Sequence, residues 1–320
     1  MNVMVKRALS LALRFALIGG CLYFLASGLD LEQTLASFRN LEFGRLLVVE
    51  GAVVLTMLAP AWRLVFLTRH RVRFSLSLQT VFLCLGLNNI FPAKLGELAK
   101  VSFLRQRAGI AMSEGMGIVF WERFFDLNAV LLFGVLIAYL LDKSLLLVPL
   151  AVIVGVFWAF LLLNSRFPAI SRLVLRLIPL PRLKDFVAAI LEHLQEHVSW
   201  RFFLLLGWYT LLVWLSYLAV ALLFVQWAAG LELTAAQVAA VFVVSSIGLS
   251  LPSSPGGMGV YEAAVVLSLG WFGVTKETAL AAGIGLHVLQ ILPTVLGTLI
   301  ILATSGVDRH DLMRFKPRQT

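Results

Sequence analysis

The chain has 320 residues, of which 60% are hydrophobic and 13% are charged, and its mean hydropathy is +0.94. Soluble domains contain about 45–50% apolar and about 25% charged residues, so this composition excludes a water-soluble globule and a disordered chain. The formal net charge is +9, but the basic residues lie in short segments between apolar runs. These basic residues are explained by their role in orienting the protein in the membrane, so a nucleic-acid partner is not needed to account for them. We expect an all-α polytopic integral membrane protein.

Long apolar runs recur from the N-terminal helix, which ends near Gly28, to the C-terminal region. A membrane-spanning helix needs about 20 apolar residues, and five further runs reach that length. They are 46–67, 115–141, 145–164, 202–229 and 278–304. Together with the N-terminal helix, these runs predict about six full transmembrane helices.

Four shorter apolar runs form two pairs, and proline and glycine interrupt each pair. This pattern predicts two broken, re-entrant helical hairpins, at 76–104 and 235–272. The residues assigned to the helix breaks are Asn88, Asn89, Pro92, Gly96, Pro252, Pro255 and Gly259. Three spans separate the hairpins, so the hairpins are expected to face opposite sides of the membrane. An inverted repeat of this kind is typical of alternating-access transporters.

The whole chain, 1–320, is predicted to form a single transmembrane domain with two halves, 1–141 and 145–304. With a cytoplasmic N-terminus, eighteen of the 26 Lys and Arg residues fall inside and four fall outside, as the positive-inside rule expects. We therefore predict a multi-pass protein of the cytoplasmic (inner) membrane with both termini in the cytoplasm. Two full crossings in place of each hairpin give the same sidedness. The polar segment 165–200 is expected to form a cytoplasmic amphipathic helix, followed at the chain end by a cytoplasmic tail, 305–320.

Several ionisable residues fall inside the predicted membrane segments, where each costs about 2.5–3.5 kcal/mol. Two interpretations stay open: an ion-pair network that holds a hairpin to a helix, or a site that binds an anionic lipid headgroup. Half-helix N-termini at the two breaks favour an anion, and phosphate is the obvious membrane-borne one. The candidate headgroup site comprises Lys94, Glu97, Lys100, Glu122, Arg123, Asp126, Ser253, Ser254, Gly256, Gly257 and Glu262.

Two more polar residues in apolar runs receive separate interpretations. His287 is either a proton-coupling site or, as we favour, a hydrogen-bonded core residue. Arg63 lies near the cytoplasmic end of its span and is expected to extend its guanidinium to the interface. His193 and His197 are four residues apart, a spacing that metal sites also use, but no further ligand lies nearby, so we predict no metal and no cofactor. A nucleotide-binding motif is absent from the sequence, so ATP is not expected to drive the protein.

Three ordered motifs resemble the lysylphosphatidylglycerol synthase transmembrane family, a flippase-like domain found in multiple peptide resistance factor proteins and as stand-alone proteins. The motifs are Leu87-Asn88-Asn89 with Pro92, Gly96-Glu97 and Lys100; Glu122-Arg123 with Asp126; and Pro252 with Pro255-Gly256-Gly257-x-Gly259 and Glu262. The resemblance implies lipid translocation. Lys100 and His287 stand where family members often have Arg, and Arg and Lys bind phosphate differently.

The chain ends about 16 residues after the last span, so we expect a stand-alone member without an aminoacyl-transferase domain, and not an enzyme. The predicted function is translocation of an anionic or phosphate-bearing lipid headgroup through a cavity between the two hairpins. The alternatives are an intramembrane lipid-modifying transferase, a small-solute or ion secondary transporter, and a non-transporting assembly partner. The expected partner is the lipid substrate, and a lipid-biosynthetic enzyme of the same pathway is a further candidate; no nucleic-acid partner is expected.

Overall fold

The computed structural model describes residues 16, 18–91, 94–142, 149, 152–153, 155–156, 158–159, 187–188, 199–250 and 254–305. Every regular element within these ranges is helical, which confirms the predicted all-α class. The helices are α1 (18–26), α2 (Leu31–Arg39), α3 (Phe43–Thr56), α4 (Leu58–Leu67), α5 (Phe74–Ile90), α6 (Leu95–Ala108), α7 (Met112–Leu140), α8 (Trp200–Leu222), α9 (Ala235–Ser250), α10 (Val260–Gly270) and α11 (Lys276–Thr304). A π-helical turn, Leu223–Ala228, extends α8, and a 3₁₀ turn, Pro255–Gly257, precedes α10.

Four helical stretches in the described ranges are long and apolar enough to cross a membrane. They are Phe43–Leu67, Met112–Leu140, Trp200–Ala228 and Lys276–Thr304. Each coincides with a predicted span. The rest of the predicted six depends on the N-terminal helix and on 145–164, which lie partly or mostly outside the described residues, so that total stays a prediction. The described residues also leave out most of 165–200 and of the predicted tail.

Helix α11 has an exposed apolar face and a buried polar face, as does a helix at the lipid-facing surface of a membrane protein. Leu292 and Leu296 are about half exposed, whereas His287 and Thr294 are buried. A helix on a water-soluble protein has the opposite arrangement, with its polar face toward the solvent. The apolar exterior of α11 therefore fits hydrocarbon, and its interior face supplies polar groups to the protein.

A break at Met57 divides the second predicted span into α3 and α4. Pro60 lies three residues further on, and its ring nitrogen has no hydrogen to donate to the carbonyl of Thr56. The lost helical hydrogen bond accounts for the interruption. The stretch on both sides of the break remains long enough to cross a membrane.

The four helices of the predicted hairpins are short. They contain 17, 14, 16 and 11 residues in α5, α6, α9 and α10. At 1.5 Å per residue the longest reaches roughly 25 Å, which is less than the roughly 30 Å thickness of the hydrocarbon core. Their bounds lie within a few residues of the predicted ones, except that α6 extends to Ala108, four residues beyond the predicted run. Pro92, Pro252 and Ser253 at the two breaks fall outside the described residues.

The first of two compact units combines the described residues of Met1–Met57, Phe82–Gly96 and Ser216–Ser305. Helices α2, α3 and α10 pack against α11 in this unit. Its apolar core includes Val49 of α3, Phe224 of the π-helical turn and Leu269 of α10, all fully buried. Close packing also depends on Gly86 of α5, where a Cβ atom would overlap the Thr298 side chain of α11.

The second unit combines the described residues of Leu58–Val81 and Glu97–Leu215. Aromatic rings from α7 and α8 fill its core: Trp121 packs edge-on against Phe202 and Phe203 with ring centroids 5.3 and 5.6 Å apart. A hydrogen bond of 2.6 Å from the Ser77 hydroxyl to the Ala61 carbonyl joins α5 to α4. Both units draw segments from the two predicted halves, and the single-domain organisation stays a prediction.

Replacement of Gly86 by Ala should destabilise the protein. The added methyl would overlap Thr298 and the Thr294 carbonyl, and overpacking costs about 1–3 kcal/mol. Gly51→Ala is the matched control, because nothing lies within 4 Å of its Cβ position and Ala favours a helix by about 1 kcal/mol. Thermal unfolding in detergent should show a lower Tm for Gly86→Ala only. An equal or higher Tm for Gly86→Ala would contradict the packing described here.

Candidate functional site

Three charged residues lie together near the middle of α7. Glu122, Arg123 and Asp126 are roughly 15–21 Å along the helix from Met112, at 1.5 Å per residue. We call their ion-paired cluster the charge network. It contains three basic and three acidic side chains: Arg63, Lys100, Arg123, Glu97, Glu122 and Asp126. The formal charges within the network therefore cancel.

Lys100 of α6 and Glu122 of α7 form the most enclosed pair of the network. The Lys100 Nζ lies 2.5 Å from Glu122 Oε2, and each side chain is about 95% buried. A buried charge without its partner is strongly destabilising. This pair therefore holds α6 and α7 together. The backbone of α7 also approaches α6 closely, because Gly115 leaves no room for a Cβ beside Val101.

Arg63 of α4 forms a two-point contact with Asp126. Its two terminal nitrogens lie 2.6 and 3.3 Å from the two carboxylate oxygens. The Trp214 indole donates a further hydrogen bond of 3.1 Å to the same carboxylate. Arg63 is 3% exposed, so the expectation that its guanidinium reaches the interface is wrong. The physical reason is that Asp126 supplies a matched acceptor fork within the protein.

Arg123 is the accessible cation of the network. Its side chain is 47% exposed, whereas those of Arg63 and Lys100 are 4% and 5% exposed. Its shortest contact is also longer than those of Arg63 and Lys100: Nε lies 3.2 Å from Glu97 Oε1, and a terminal nitrogen lies 3.6 Å from Asp126 Oδ2. Glu97 Oε1 is buried and makes no hydrogen bond of acceptable geometry. The Arg123–Glu97 pair is therefore much looser than the two buried pairs.

A second polar cluster surrounds the turn that precedes α10. Gly256, Gly257 and Gly259 have φ angles of +61°, +75° and +84°, a left-handed region that favours glycine. The Ser254 hydroxyl closes the turn by donating to the Met258 carbonyl at 2.6 Å. These glycines allow the chain to reverse tightly before α10.

Glu262 and His287 fix this turn to α10 and α11. The Gly259 N–H donates to Glu262 Oε2 at 2.6 Å, and Glu262 Oε1 lies 2.5 Å from His287 Nδ1. The other ring nitrogen, Nε2, lies 2.9 Å from the Gly256 carbonyl oxygen. His287 is 3% exposed and Glu262 is 9% exposed. We call the arrangement of Gly256, Gly259, Glu262 and His287 the glycine-turn centre.

The first helix break is capped by its own asparagines. Asn88 accepts a hydrogen bond of 2.8 Å from the Gly96 N–H, and Asn89 donates one of 2.9 Å to the Thr294 hydroxyl of α11. The Asn89 backbone also lies beside Gly256. The two breaks therefore meet against α11 within the first unit. Lys94 precedes α6 with a φ angle of +54°.

Apart from Lys94, the described residues of the predicted site lie in or beside two clusters. Glu97, Lys100, Glu122, Arg123 and Asp126 form the charge network with Arg63. The glycine-turn centre contains the remaining carboxylate of the predicted site, Glu262, together with His287. The sequence analysis assigned the backbone N–H groups at the two helix breaks to an anion. In the structure, the N–H groups of Gly96 and Gly259 donate hydrogen bonds to the side chains of Asn88 and Glu262.

The sequence analysis missed Arg63, Thr210 and Trp214 as partners of the network. Thr210 and Trp214 lie on α8 and contribute a hydroxyl 3.3 Å from Arg63 and an indole N–H. No local pattern connects α8 with α4 or α7, so the sequence carried no signal for them. Within the described ranges, no three His, Cys, Asp or Glu side chains are grouped so as to hold a metal ion.

Comparison with known proteins decides the family. The model of the family described as "Lysylphosphatidylglycerol synthase TM region" matches residues 11–297. The chain belongs to this family. A UPF0104 membrane protein of Methanocaldococcus jannaschii is similar to it, with 28% identity over 198 residues, which is 57% of this chain and 78% of the relative. The charge network and the glycine-turn centre of this family member both lie within the matched residues.

The buried Lys100–Glu122 pair should show strong energetic coupling. Lys100→Met and Glu122→Leu should each destabilise the protein by about 3–5 kcal/mol, because each leaves an unpaired buried charge. The double variant should cost clearly less than the sum of the two single losses. Thermal or denaturant unfolding of the four proteins gives the comparison. Additive losses would show that the two side chains do not form a pair.

Proposed function

We propose that the protein is a flippase-like lipid transporter that moves an anionic or phosphate-bearing headgroup across the cytoplasmic membrane. Membership of a lipid-related membrane family supports this proposal. The single observation that carries it is the half-exposed guanidinium of Arg123 in the middle of an apolar helix. A charge in that position is costly for the fold alone, and a role in substrate binding gives a reason for its presence.

The three cations of the network have different roles in this proposal. Lys100 and Arg63 lie in tight, buried pairs and hold their helices together. Arg123 keeps looser contacts with Glu97 and Asp126. A lipid phosphate can replace Glu97 at the guanidinium without exposing a buried pair. Arg suits this task because its planar fork binds phosphate through two parallel hydrogen bonds.

Glu97 serves as the exchangeable partner of Arg123. It neutralises the guanidinium when no lipid is bound, and it is 19% exposed. When a phosphate takes its place, the Glu97 carboxylate becomes available for a hydroxyl or amine of the headgroup. The charge network is neutral without substrate, which lowers the cost of an empty site in the membrane, and it stays neutral when the bound headgroup carries an amine beside its phosphate.

The helical breaks supply the architecture that the transport proposal needs. We infer that α5–α6 and α9–α10 are re-entrant hairpins, because each of these helices is too short to cross the hydrocarbon core alone. Two such hairpins in opposite orientations form an inverted repeat that favours alternating access. The headgroup moves through the protein while the lipid tails stay in the bilayer. The excess of Lys and Arg on one predicted side of the membrane supports an orientation with both termini in the cytoplasm.

Headgroup accessibility of fluorescent phospholipids in proteoliposomes tests the function. The wild type should accelerate movement of an anionic phospholipid between leaflets, and Arg123→Gln should abolish the acceleration. Arg123→Lys should retain part of it, since a point charge remains. Arg45→Gln is the matched control, because Arg45 is similarly exposed, at 42%, and pairs with Glu42 outside the charge network.

Two results would contradict the transport proposal. A folded wild type that moves no anionic phospholipid would exclude that substrate class and favour a polyprenyl carrier, a solute transporter or a transferase. Equal activity of Arg123→Gln and wild type would remove Arg123 from the pathway. Thermal unfolding of each variant before reconstitution shows that any loss of activity arises in a folded protein.

A further inference from the structure

The glycine-turn centre contains a continuous chain of polar contacts. It starts at the Gly259 N–H, passes through the two oxygens of Glu262 and the two nitrogens of His287, and ends at the Gly256 carbonyl. The three contacts measure 2.6, 2.5 and 2.9 Å in that order. Both ends of the chain are backbone groups of the same turn. The two side chains therefore bind the turn at both of its ends.

The number of protons in this chain follows from the identity of its end groups. A carbonyl oxygen only accepts hydrogen bonds, so His287 Nε2 must carry the hydrogen that it shares with Gly256. A backbone N–H only donates, so Glu262 Oε2 must accept. The remaining contact, between His287 Nδ1 and Glu262 Oε1, then needs one more proton. That proton resides on Glu262 or on His287, and either location satisfies every contact.

Removal of this proton would leave two acceptors against each other. Either the Nδ1 lone pair would face the Glu262 carboxylate at the observed 2.5 Å or, in the other neutral tautomer, the Nε2 lone pair would face the Gly256 carbonyl at 2.9 Å. Two acceptors in contact repel each other in a low-dielectric interior, so one of the two contacts would have to open. Because His287 belongs to α11, the loss of either contact would release the Pro255–Gly257 turn from α11.

Among the described residues, the side chains shown in contact with the pair's turn and rings are polar or apolar. Tyr261 of α10 stacks on the imidazole with ring centroids 4.4 Å apart, and its hydroxyl contacts Gln290 of α11 and Ser245 of α9. Leu22 of α1 lies beside Gly259, and the Asn89 backbone lies beside Gly256. Tyr261 is the titratable group that these neighbours contribute, and it presents the face of its ring. Thus His287 and Glu262 balance each other's charge.

We propose that Glu262 and His287 form a binding site for one exchangeable proton, and that loss of this proton releases the Pro255–Gly257 turn from α11. The turn touches Asn89 of the first break, so its release changes the contact between the two breaks. The further step, that proton binding and release drive or gate lipid movement, rests on the proposed function. The proton site itself does not.

Amide hydrogen exchange of the turn, measured by mass spectrometry on the full-length protein in detergent, tests this proposal. Exchange at residues 256–259, corrected for the chemical exchange rate, should increase in the wild type from mildly acidic to mildly alkaline pH. Glu262→Gln should keep the turn protected at every pH. Its amide N–H can donate to Nδ1 and its carbonyl oxygen can accept from Gly259, so it reproduces the protonated pair.

Two further variants define the comparison. Glu232→Gln makes the same substitution at an exposed position ahead of α9, and it should retain the wild-type pH dependence. His287→Gln removes the imidazole, so the turn should exchange fast throughout the pH range. Glu262→Gln is nearly isosteric and keeps the test valid if His287→Gln does not fold.

The outcomes separate this inference from the proposed function. A wild-type turn with no pH dependence, or a Glu262→Gln turn that opens like the wild type, would overturn the proton site. A pH-dependent turn in a protein that moves no lipid would support the proton site and count against transport. A pH-dependent turn together with lipid movement that loses its pH dependence in Glu262→Gln would support both.

Discussion

An ionised side chain inside the membrane must be accompanied by its counter-charge, and this constraint governs the arrangement of the second unit. Lys100 is enclosed with Glu122, and Arg63 with Asp126, so α4, α6 and α7 are held by pairs that none of them could form alone. Such pairs add little net stability over apolar packing, but a missing partner is very costly. They therefore specify which helices are neighbours. In the proposed function, the half-exposed Arg123 is the cation of this network that contacts the headgroup.

In the first unit, the polar groups that need partners are backbone N–H and C=O groups. A turn at membrane depth leaves N–H and C=O groups that lipid cannot bind. Asn88 occupies the Gly96 N–H, while Glu262 and His287 occupy the Gly259 N–H and the Gly256 carbonyl. The polar face of α11 supplies several of these partners. These backbone groups at the two helix breaks therefore have partners within the protein.

The sequence was sufficient for the features that depend on local pattern and insufficient for those that depend on pairing between helices. Hydropathy located the four long apolar stretches of the described ranges, and proline and glycine located the interruptions between the short helices. Glu262 stands three residues after Gly259, the spacing at which a Glu side chain accepts from the N-cap N–H, and this local signal could have revealed their contact. By contrast, Arg63 lies near the end of an apolar run, so hydropathy alone placed it at the interface. Its partner Asp126 is 63 residues away, and no local rule connects them.

Native mass spectrometry of the purified protein tests most directly whether Arg123 is the headgroup contact within an otherwise structural network. The measured quantity is the amount of anionic lipid that remains bound to wild type, Arg123→Gln and Arg45→Gln at the same activation energy. The account predicts that Arg123→Gln loses the bound anionic lipid while wild type and Arg45→Gln retain it. Equal retention by all three proteins would show that Arg123 does not bind the headgroup and that the whole charge network is structural.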